Sequence, residues 1–289
     1  QPDPLGYQDS MNLYQGMNMN PVNFVDPWGK YGIDFHYYVI YFLMRAKGWD
    51  KETSNRVAGF SQYVDDNFET TSMFTTQALR SYWHFPGSSK EKTTRRNDSA
   101  SRNRVISSVN SFLKREQKGE VLLGSALHIY ADSWAHEGFT GYYSSLNKRK
   151  GRIKLNLGHA HAEYSGHEPD MILLSPHSFQ KALEAAENIY TLLPNGSEKK
   201  LSWNEVRSCL YDKAFQMPKN ASKNNKEHTD LMIDIVRQLI VKKFGKYEFV
   251  EYNLKNFKKM DNYIDSSLRV EKWENISILF YNPLEFFFL

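Results

Sequence analysis

Three polar side chains recur at every fourth position inside an otherwise apolar stretch, and this pattern constrains the fold more than any other feature. The stretch reads SALHIYADSWAHEGF, and its polar members include His128, Asp132 and His136. On a helix, residues spaced i, i+4 and i+8 fall within about 80° of each other. The pattern therefore predicts a buried helix that carries all three side chains on one strip.

Buried imidazole and carboxylate groups are costly unless they have partners. A divalent cation would satisfy all three side chains at once; the alternative is a set of hydrogen bonds to neighbouring backbone or acidic groups. The chain has one cysteine, Cys209, which excludes a cysteine-based metal cage and any disulfide within the chain. Because imidazole and carboxylate are the usual zinc ligands when thiolates are absent, we expect Zn²⁺ as the cofactor.

Other histidines and acids lie in similar surroundings and enlarge the set of candidate ligands. The candidates are His36, Asp65, His84, His128, Asp132, His136, His159, Glu163 and Asp170. Asp66 is an alternative to Asp65, and Asp170 competes with Glu163 as the last ligand. Three protein ligands and a water complete a catalytic zinc site, so a set of this size predicts two or three ions close together.

Helical signals dominate from Asp34 onward, without a convincing alternating strand, and predict an all-α fold with one multi-helix domain. The predicted helices run over 34–48, 50–66, 98–117, 120–137 and 176–193, from 202 onward, and over 228–244. Several have recognisable starts, such as Asp34, Asp50 and Asp98 as N-caps and Ser202 with Glu205 as a capping box. We expect no membrane-spanning helix and no signal peptide in this sequence.

Residues 1–30 differ from the rest, since they hold four of the ten prolines and no helical period. The wording DPLGYQDSMNLYQGMNMNPVNFVDPWG, over residues 3–29, resembles the closing motif of the Rhs-repeat core, in which a DPxG, an NLYxY-like stretch, an NPVN and a final DPxG follow one another. In that family the segment ends a large β-cage, the cage often cleaves itself after the last DPxG, and a variable toxin follows. The resemblance implies an irregular Rhs-core tail at 1–30 and a toxin domain at 31–289.

The Rhs resemblance also implies a biological setting. The domain would be a toxin or effector, secreted or delivered into a target cell by a secretion or toxin-injection system. Its partners would be the Rhs cage of the parent chain and a cognate immunity protein. Because the sequence begins at Gln1, we expect a fragment or a processed piece of a longer chain. The cleavage site that the resemblance implies follows Lys30, which stands where the family usually has Leu.

The order of candidate ligands over residues 34–170 resembles a second family, the zinc-dependent phospholipase C and single-strand nuclease superfamily. Its members hold three zinc ions in an α-helical domain and hydrolyse phosphodiesters. Carried over in order, the resemblance implies three ion sites: His36 with Asp65 or Asp66; His84 with His128 and Asp132; and His136 with His159 and Glu163. The superfamily also uses its processed N-terminal amine as a ligand, which cleavage near Tyr31 would supply here. The four-residue step from Asp132 to His136 is tighter than the superfamily's spacing.

The second resemblance implies a metal-dependent phosphoric diester hydrolase in which a metal-activated water attacks phosphorus and Asp65 or Asp66 orients or deprotonates that water. Phospholipid at a membrane surface is the leading substrate, because aromatic residues make up 15% of the chain. Nucleic acid is the alternative, because basic residues cluster in segments 90–104 and 148–154 although the whole chain has a net charge of only +4. A non-enzymatic membrane-disrupting toxin module is a third reading.

Overall fold

The computed structural model describes residues 32–67, 70, 76–116, 118–150, 172–173, 176–214 and 225–258. A π-helical segment, Asp34–Val39, leads directly into helix α1, Ile40–Ala46. The further helices are α2 Lys51–Asp66, α3 Gln77–His84, α4 Ser99–Leu113, α5 Gly119–Ala135, α6 Pro176–Leu192, α7 Trp203–Ala214, α8 Asn225–Phe244 and α9 Leu254–Lys258, with 3₁₀ turns at Ser145–Lys150 and Lys246–Glu248. No strand occurs within these ranges, so the predicted all-α fold is confirmed.

The helix termini follow the local signals of the sequence in most cases. The side chains of Asp50 and Asp98 each accept a hydrogen bond from the backbone amide three residues later, as N-caps do. Ser202 and Glu205 form the predicted capping box, in which each side chain accepts a hydrogen bond from the other residue's amide. Gly48 ends α1 in the left-handed region, at a φ of 84° that favours glycine.

The structure corrects the predicted start and end of two helices. Asp34 is not a cap, because the backbone is already helical at Ile33, which holds the N-cap position, and Asp34 lies buried one residue further on. The helix predicted over 98–117 ends at Leu113, and Arg115 then takes a positive φ of 53° in the turn before α5. Helix α3, which the sequence analysis does not predict, has the candidate ligand His84 as its last residue.

Helix α5 lies at the centre of the described structure, with α2 and α4 packed along it. Its buried residues run almost without interruption from Gly119 to Ala135, as the apolar stretch around the three polar positions predicts. At Gly124 the absent side chain lets α5 approach α2 closely, since a Cβ there would lie 2.5 Å from the carbonyl oxygen of Val57. This contact sets the distance between the helix that carries Asp65 and the helix that carries His128 and Asp132.

The segment from Lys246 to Phe257 crosses the outside of α1 and α2 and fixes them to each other. Arg45 of α1 forms a 2.8 Å ion pair with Glu248, and the ring of Phe257 occupies the space above Gly59 of α2. None of the helices in the described part of the chain combines the length and apolar character needed to cross a bilayer. The predicted Rhs-core tail at 1–30 lies outside the described residues.

Candidate metal centre

Six candidate ligands from five parts of the chain meet beside α5. They are His36 on the π-helical segment, Asp65 in the last turn of α2, His84 at the end of α3, His128 and Asp132 on α5, and His136 directly after α5. The four histidine side chains and Asp132 have no solvent exposure, and the side chain of Asp65 is 7% exposed. The strip predicted from the i, i+4, i+8 spacing therefore faces the interior.

Asp132 is the centre of this cluster, because its two carboxylate oxygens face different imidazoles. Its Oδ1 lies 3.2 Å from Nε2 of His36. Its Oδ2 lies 3.2 Å from Nδ1 of His84, 3.3 Å from Nε2 of His128 and 3.6 Å from Nδ1 of His136. One carboxylate thus joins two sets of nitrogen atoms.

The first set has the spacing of ligands around one small cation. Nδ1 of His84 and Nε2 of His128 lie 3.3 Å apart, so these two nitrogens and Asp132 Oδ2 form a nearly equilateral triangle with sides of 3.2–3.3 Å. Two ligands at about 2.0–2.1 Å from a tetrahedral zinc ion lie about 3.3 Å from each other. Asp65 Oδ1 lies outside the triangle, 3.8 Å from Nδ1 of His84 and 3.7 Å from Nε2 of His128, in the place of a fourth ligand.

The second set consists of His36, His128 and Asp132, which also present ligand atoms within 4.8 Å of one another. The rings of His36 and His128 are stacked with their centroids 3.9 Å apart. His36 approaches the carboxylate from the Oδ1 side, away from the His84 triangle. The two sets therefore share Asp132 and His128, and because a neutral imidazole has a single lone pair, His128 can serve a cation in only one of the two sets.

Backbone carbonyls orient two of the histidines. Nε2–H of His84 donates a 2.8 Å hydrogen bond to the carbonyl oxygen of Thr70, and Nδ1–H of His136 donates to the carbonyl oxygen of His84. A carbonyl oxygen can only accept, so in neutral rings the lone pairs lie on Nδ1 of His84 and Nε2 of His136. This is how metal-ligating histidines are commonly held.

The protonation of the cluster also suits a metal ion. Burial, followed by the neighbouring His128, lowers the pKa of His36 from 6.5 to about 4, so its imidazole is neutral at pH 7. Burial alone would raise the pKa of Asp132, but the imidazoles of His136 and His128 hold it well below its usual range. A neutral imidazole beside an ionised carboxylate is the form that binds metal, and buried groups of this kind can hold an ion.

The structure groups the predicted ligands differently from the resemblance. Asp65 faces His84 and His128 rather than His36, while the predicted trio of His84, His128 and Asp132 is retained as the tight triangle. Asp66 points elsewhere, since its carboxylate accepts a 2.7 Å hydrogen bond from the hydroxyl of Tyr252. The candidates His159, Glu163 and Asp170 lie outside the described residues.

Two contributors to the centre escape the sequence analysis. The carbonyl oxygen of Thr70 belongs to the backbone, so no residue type marks it. Phe85, whose ring stacks on His136 at a centroid distance of 4.5 Å, directly follows His84 but resembles any other core aromatic in the sequence. Only the packing of α3 against the end of α5 reveals both roles.

Comparison with known proteins gives one family. The model of a family of unknown function, DUF6765, matches residues 32–85 and 77–279, which include every candidate ligand. No curated protein and no solved structure matches the chain.

Proposed function

The chain belongs to the DUF6765 family of unknown function, and from the geometry of its buried centre we propose that it is a zinc-dependent hydrolase of phosphodiester bonds. The observation that carries the proposal is the triangle formed by His84, His128 and Asp132, with Asp65 beside it. Its 3.2–3.3 Å sides match the separation of about 3.3 Å expected for tetrahedral zinc ligands.

Zinc suits these donors better than the other common divalent cations. Magnesium and calcium favour shells of oxygen ligands, whereas this set offers two imidazole nitrogens, from His84 and His128, and two carboxylate oxygens, from Asp132 and Asp65. Imidazole nitrogen with carboxylate oxygen is a zinc-type donor set. The six clustered ligands also exceed what one tetrahedral ion requires, which favours two neighbouring ions.

The number of ligands distinguishes a catalytic centre from a purely structural one. Structural zinc sites are closed by four protein ligands, whereas catalytic sites keep a position open. The His84 set has four side chains in place, but the set on the Oδ1 side has only His36, His128 and Asp132, of which His128 is shared. A zinc ion held on that side would have fewer than four protein ligands, which is the condition under which zinc can bind a water.

The chemistry that bound zinc ions supply to such a centre is neutralisation of phosphoryl charge and a lowered pKa of a bound water. Asp132 contributes by holding both ligand sets at one carboxylate. Asp65 is the least enclosed member of the cluster, with 7% of its side chain exposed, so solvent approaches the centre on its side. We assign to Asp65, rather than to Asp66, the role of orienting water or accepting its proton.

Phospholipid remains the leading substrate in the proposal, and nucleic acid is the second candidate. The observation that favours the second is the basic segment 90–104, which has six basic and two acidic residues. Lys90, Lys92, Arg95 and Arg102 of this segment are exposed and available to a polyanion. The toxin role, the delivery route, the Rhs cage and the immunity protein stay predictions from the first 30 residues.

The test is hydrolysis by metal-loaded and chelator-treated protein, with phosphatidylcholine vesicles and single-stranded DNA as separate substrates. We expect the wild type to cleave one of the two substrates. Chelator should abolish this cleavage, zinc should restore it, and the Asp132→Asn variant should not show it. His228→Gln is the matched control, since His228 is a buried histidine on α8 that belongs to neither ligand set. Vesicle leakage that persists with chelator and in Asp132→Asn would instead favour the membrane-disrupting module, and cleavage of neither substrate would contradict the hydrolase.

A further inference from the structure

A segment far away in the sequence contacts the two elements that deliver His36 and Asp65. This segment, residues 246–257, is called the C-terminal strap here. Tyr41 donates its hydroxyl hydrogen to the carbonyl oxygen of Glu248. The hydroxyl of Tyr37 lies 3.3 Å from the carbonyl oxygen of Val250, although its nearer acceptor is Oδ1 of Asn55, at 2.6 Å. The ring of Phe249 lies parallel to that of Tyr38 at a centroid distance of 5.6 Å. All three tyrosines of the first helical stretch therefore touch the strap.

Tyr252 is the strap residue that contacts both ligand-bearing elements. Its hydroxyl donates a 2.7 Å hydrogen bond to Oδ2 of Asp66, the residue after the ligand Asp65. Its ring lies 5.1 Å from the ring of Tyr37, the residue after the ligand His36. The same ring stacks on Phe257, which packs against α2. Tyr252 thus holds together the neighbours of two ligands that come from different helices.

The helical register of α2 sends the side chains of Asp65 and Asp66 in different directions. Successive residues of a helix project about 100° apart, so only one of the two adjacent carboxylates can face the imidazoles. The hydroxyl of Tyr252 fixes Asp66 on the strap side, which leaves Asp65 aimed at His84 and His128. Without this bond, Asp66 loses the contact that distinguishes it from Asp65. The helix does not continue beyond these two residues, because Asn67 already has an extended backbone.

We propose that Tyr252 is a positioning residue of the metal centre, which holds Asp65 in place through Asp66 and His36 through the ring of Tyr37. The inference rests on the proposed zinc centre. It assigns to the strap a function in metal binding as well as in folding. Partners of this kind, outside the ligands themselves, commonly change metal affinity by about 10–100-fold when they are mutated.

The first experiment compares Tyr252→Phe with Tyr41→Phe in the full chain. Each variant loses one hydroxyl that bonds between the strap and a helix, but only Tyr252 bonds to the neighbour of a ligand. We expect Tyr252→Phe to weaken zinc binding about tenfold, measured by competition with a chromogenic chelator, and to change the visible absorption of the cobalt-substituted protein. Tyr41→Phe should leave both unchanged, and circular dichroism of the metal-free variants should match the wild type.

Equal zinc affinities of Tyr252→Phe and the wild type would overturn the positioning role. Wild-type protein that binds no zinc would instead contradict the proposed function, so the two failures are distinguishable. If Tyr252→Phe does not fold, the role is tested with Asp66→Ala, which removes the acceptor from the exposed end of α2 and leaves the ring of Tyr252 packed.

A double-mutant comparison tests the route through Asp66. Because Tyr252 and Asp66 act through one hydrogen bond, Asp66→Ala should weaken zinc binding about as much as Tyr252→Phe, and the double variant should lose little more than either one. Asp66→Asn keeps an acceptor oxygen, so it should retain more affinity than Asp66→Ala. Losses that multiply in the double variant, or no loss in Asp66→Ala, would contradict the proposed route.

Discussion

Asp132 concentrates the chemistry of the centre in one side chain. A fully buried carboxylate costs several kcal/mol of desolvation unless it is compensated, and here four imidazoles surround it at 3.2–3.6 Å. Since the pKa of His36 is lowered to about 4, that imidazole does not supply a positive charge at pH 7. A metal cation held here would compensate the buried carboxylate and bind the nitrogen lone pairs at the same time.

The first prediction at this scale concerns Asp132→Asn. The amide has nearly the same shape as the carboxylate but removes the negative charge and one of the two oxygens that join the ligand sets. We expect zinc affinity to fall at least about 100-fold, since a ligand is lost rather than one of its partners, while the helical circular dichroism signal remains. The measurement is isothermal titration of metal-free protein with zinc.

The control for that titration is His228→Gln, which alters a buried imidazole outside both ligand sets. It should bind zinc as the wild type does. If Asp132→Asn binds zinc with wild-type affinity, Asp132 is not a ligand and the shared-carboxylate arrangement is incorrect.

The second prediction is the pH dependence of the metal-free protein. His36 has a pKa of about 4 when folded and about 6.5 when unfolded, so between these values the unfolded chain binds more protons. The free energy of unfolding therefore decreases as the pH falls from about 6.5 to about 4, by an amount on the order of 3 kcal/mol from His36. The depressed pKa of Asp132 adds a further loss only below its ordinary value of 3.8.

Urea unfolding of chelator-treated protein at several pH values measures this slope. His36→Gln should flatten the slope between pH 6.5 and 4, while His228→Gln should keep it. In the zinc-loaded protein the same acidification releases metal, because protons compete for the imidazoles. A free energy of unfolding that is constant over this range would show that His36 titrates normally in the folded state.

At the scale of elements, the contact between α2 and α5 sets the geometry of the centre. Helix α2 carries Asp65, and α5 carries His128 and Asp132. The two helices meet at Gly124, where a Cβ would lie 2.5 Å from the carbonyl oxygen of Val57 and 2.7 Å from Cβ of Phe60. Neither of those atoms is the flexible end of a side chain, so the helices themselves would have to move to accept a larger residue.

The third prediction is that Gly124→Ala destabilises the protein and weakens zinc binding. Alanine gains about 1 kcal/mol over glycine in a helix interior, but overpacking against backbone costs about 1–3 kcal/mol, so we expect a net loss of up to about 2 kcal/mol in the free energy of unfolding. Ser107→Ala, on an exposed position of α4, is the control and should change neither quantity. Unchanged stability and zinc affinity in Gly124→Ala would mean that this approach does not set the ligand spacing.

Most helices could be predicted from the sequence because their signals are local. The caps at Asp50 and Asp98 and the box at Ser202 each depend on residues within one turn, and all three are present. Helix α3 escapes because its eight residues are shorter than the window in which a helical period is recognisable. Asp34 misleads because the backbone is already helical at Ile33, and the packing of the π-helical segment against α2 and α8 is not visible in the sequence.

At the scale of the whole molecule, the site is predictable in its members and not in their grouping. His128 and Asp132 lie on α5 and His136 directly follows it, so their spacing alone places them together. The choice of Asp65 over Asp66 depends on Tyr252, which is 186 residues away from Asp66 in the sequence. Pairing across that distance is decided by the tertiary packing of the C-terminal strap, and a single sequence carries no local signal for it.

Anomalous diffraction at the zinc absorption edge, from crystals of the full chain grown with zinc, tests the central claim most directly. The account predicts a peak enclosed by Nδ1 of His84, Nε2 of His128, Oδ2 of Asp132 and the carboxylate of Asp65, with a second peak on the His36 side of Asp132. Crystals of Asp132→Asn should lack both peaks. Wild-type crystals with no peak among these residues, and with the imidazoles hydrogen-bonded to the carboxylates instead, would contradict a metal centre.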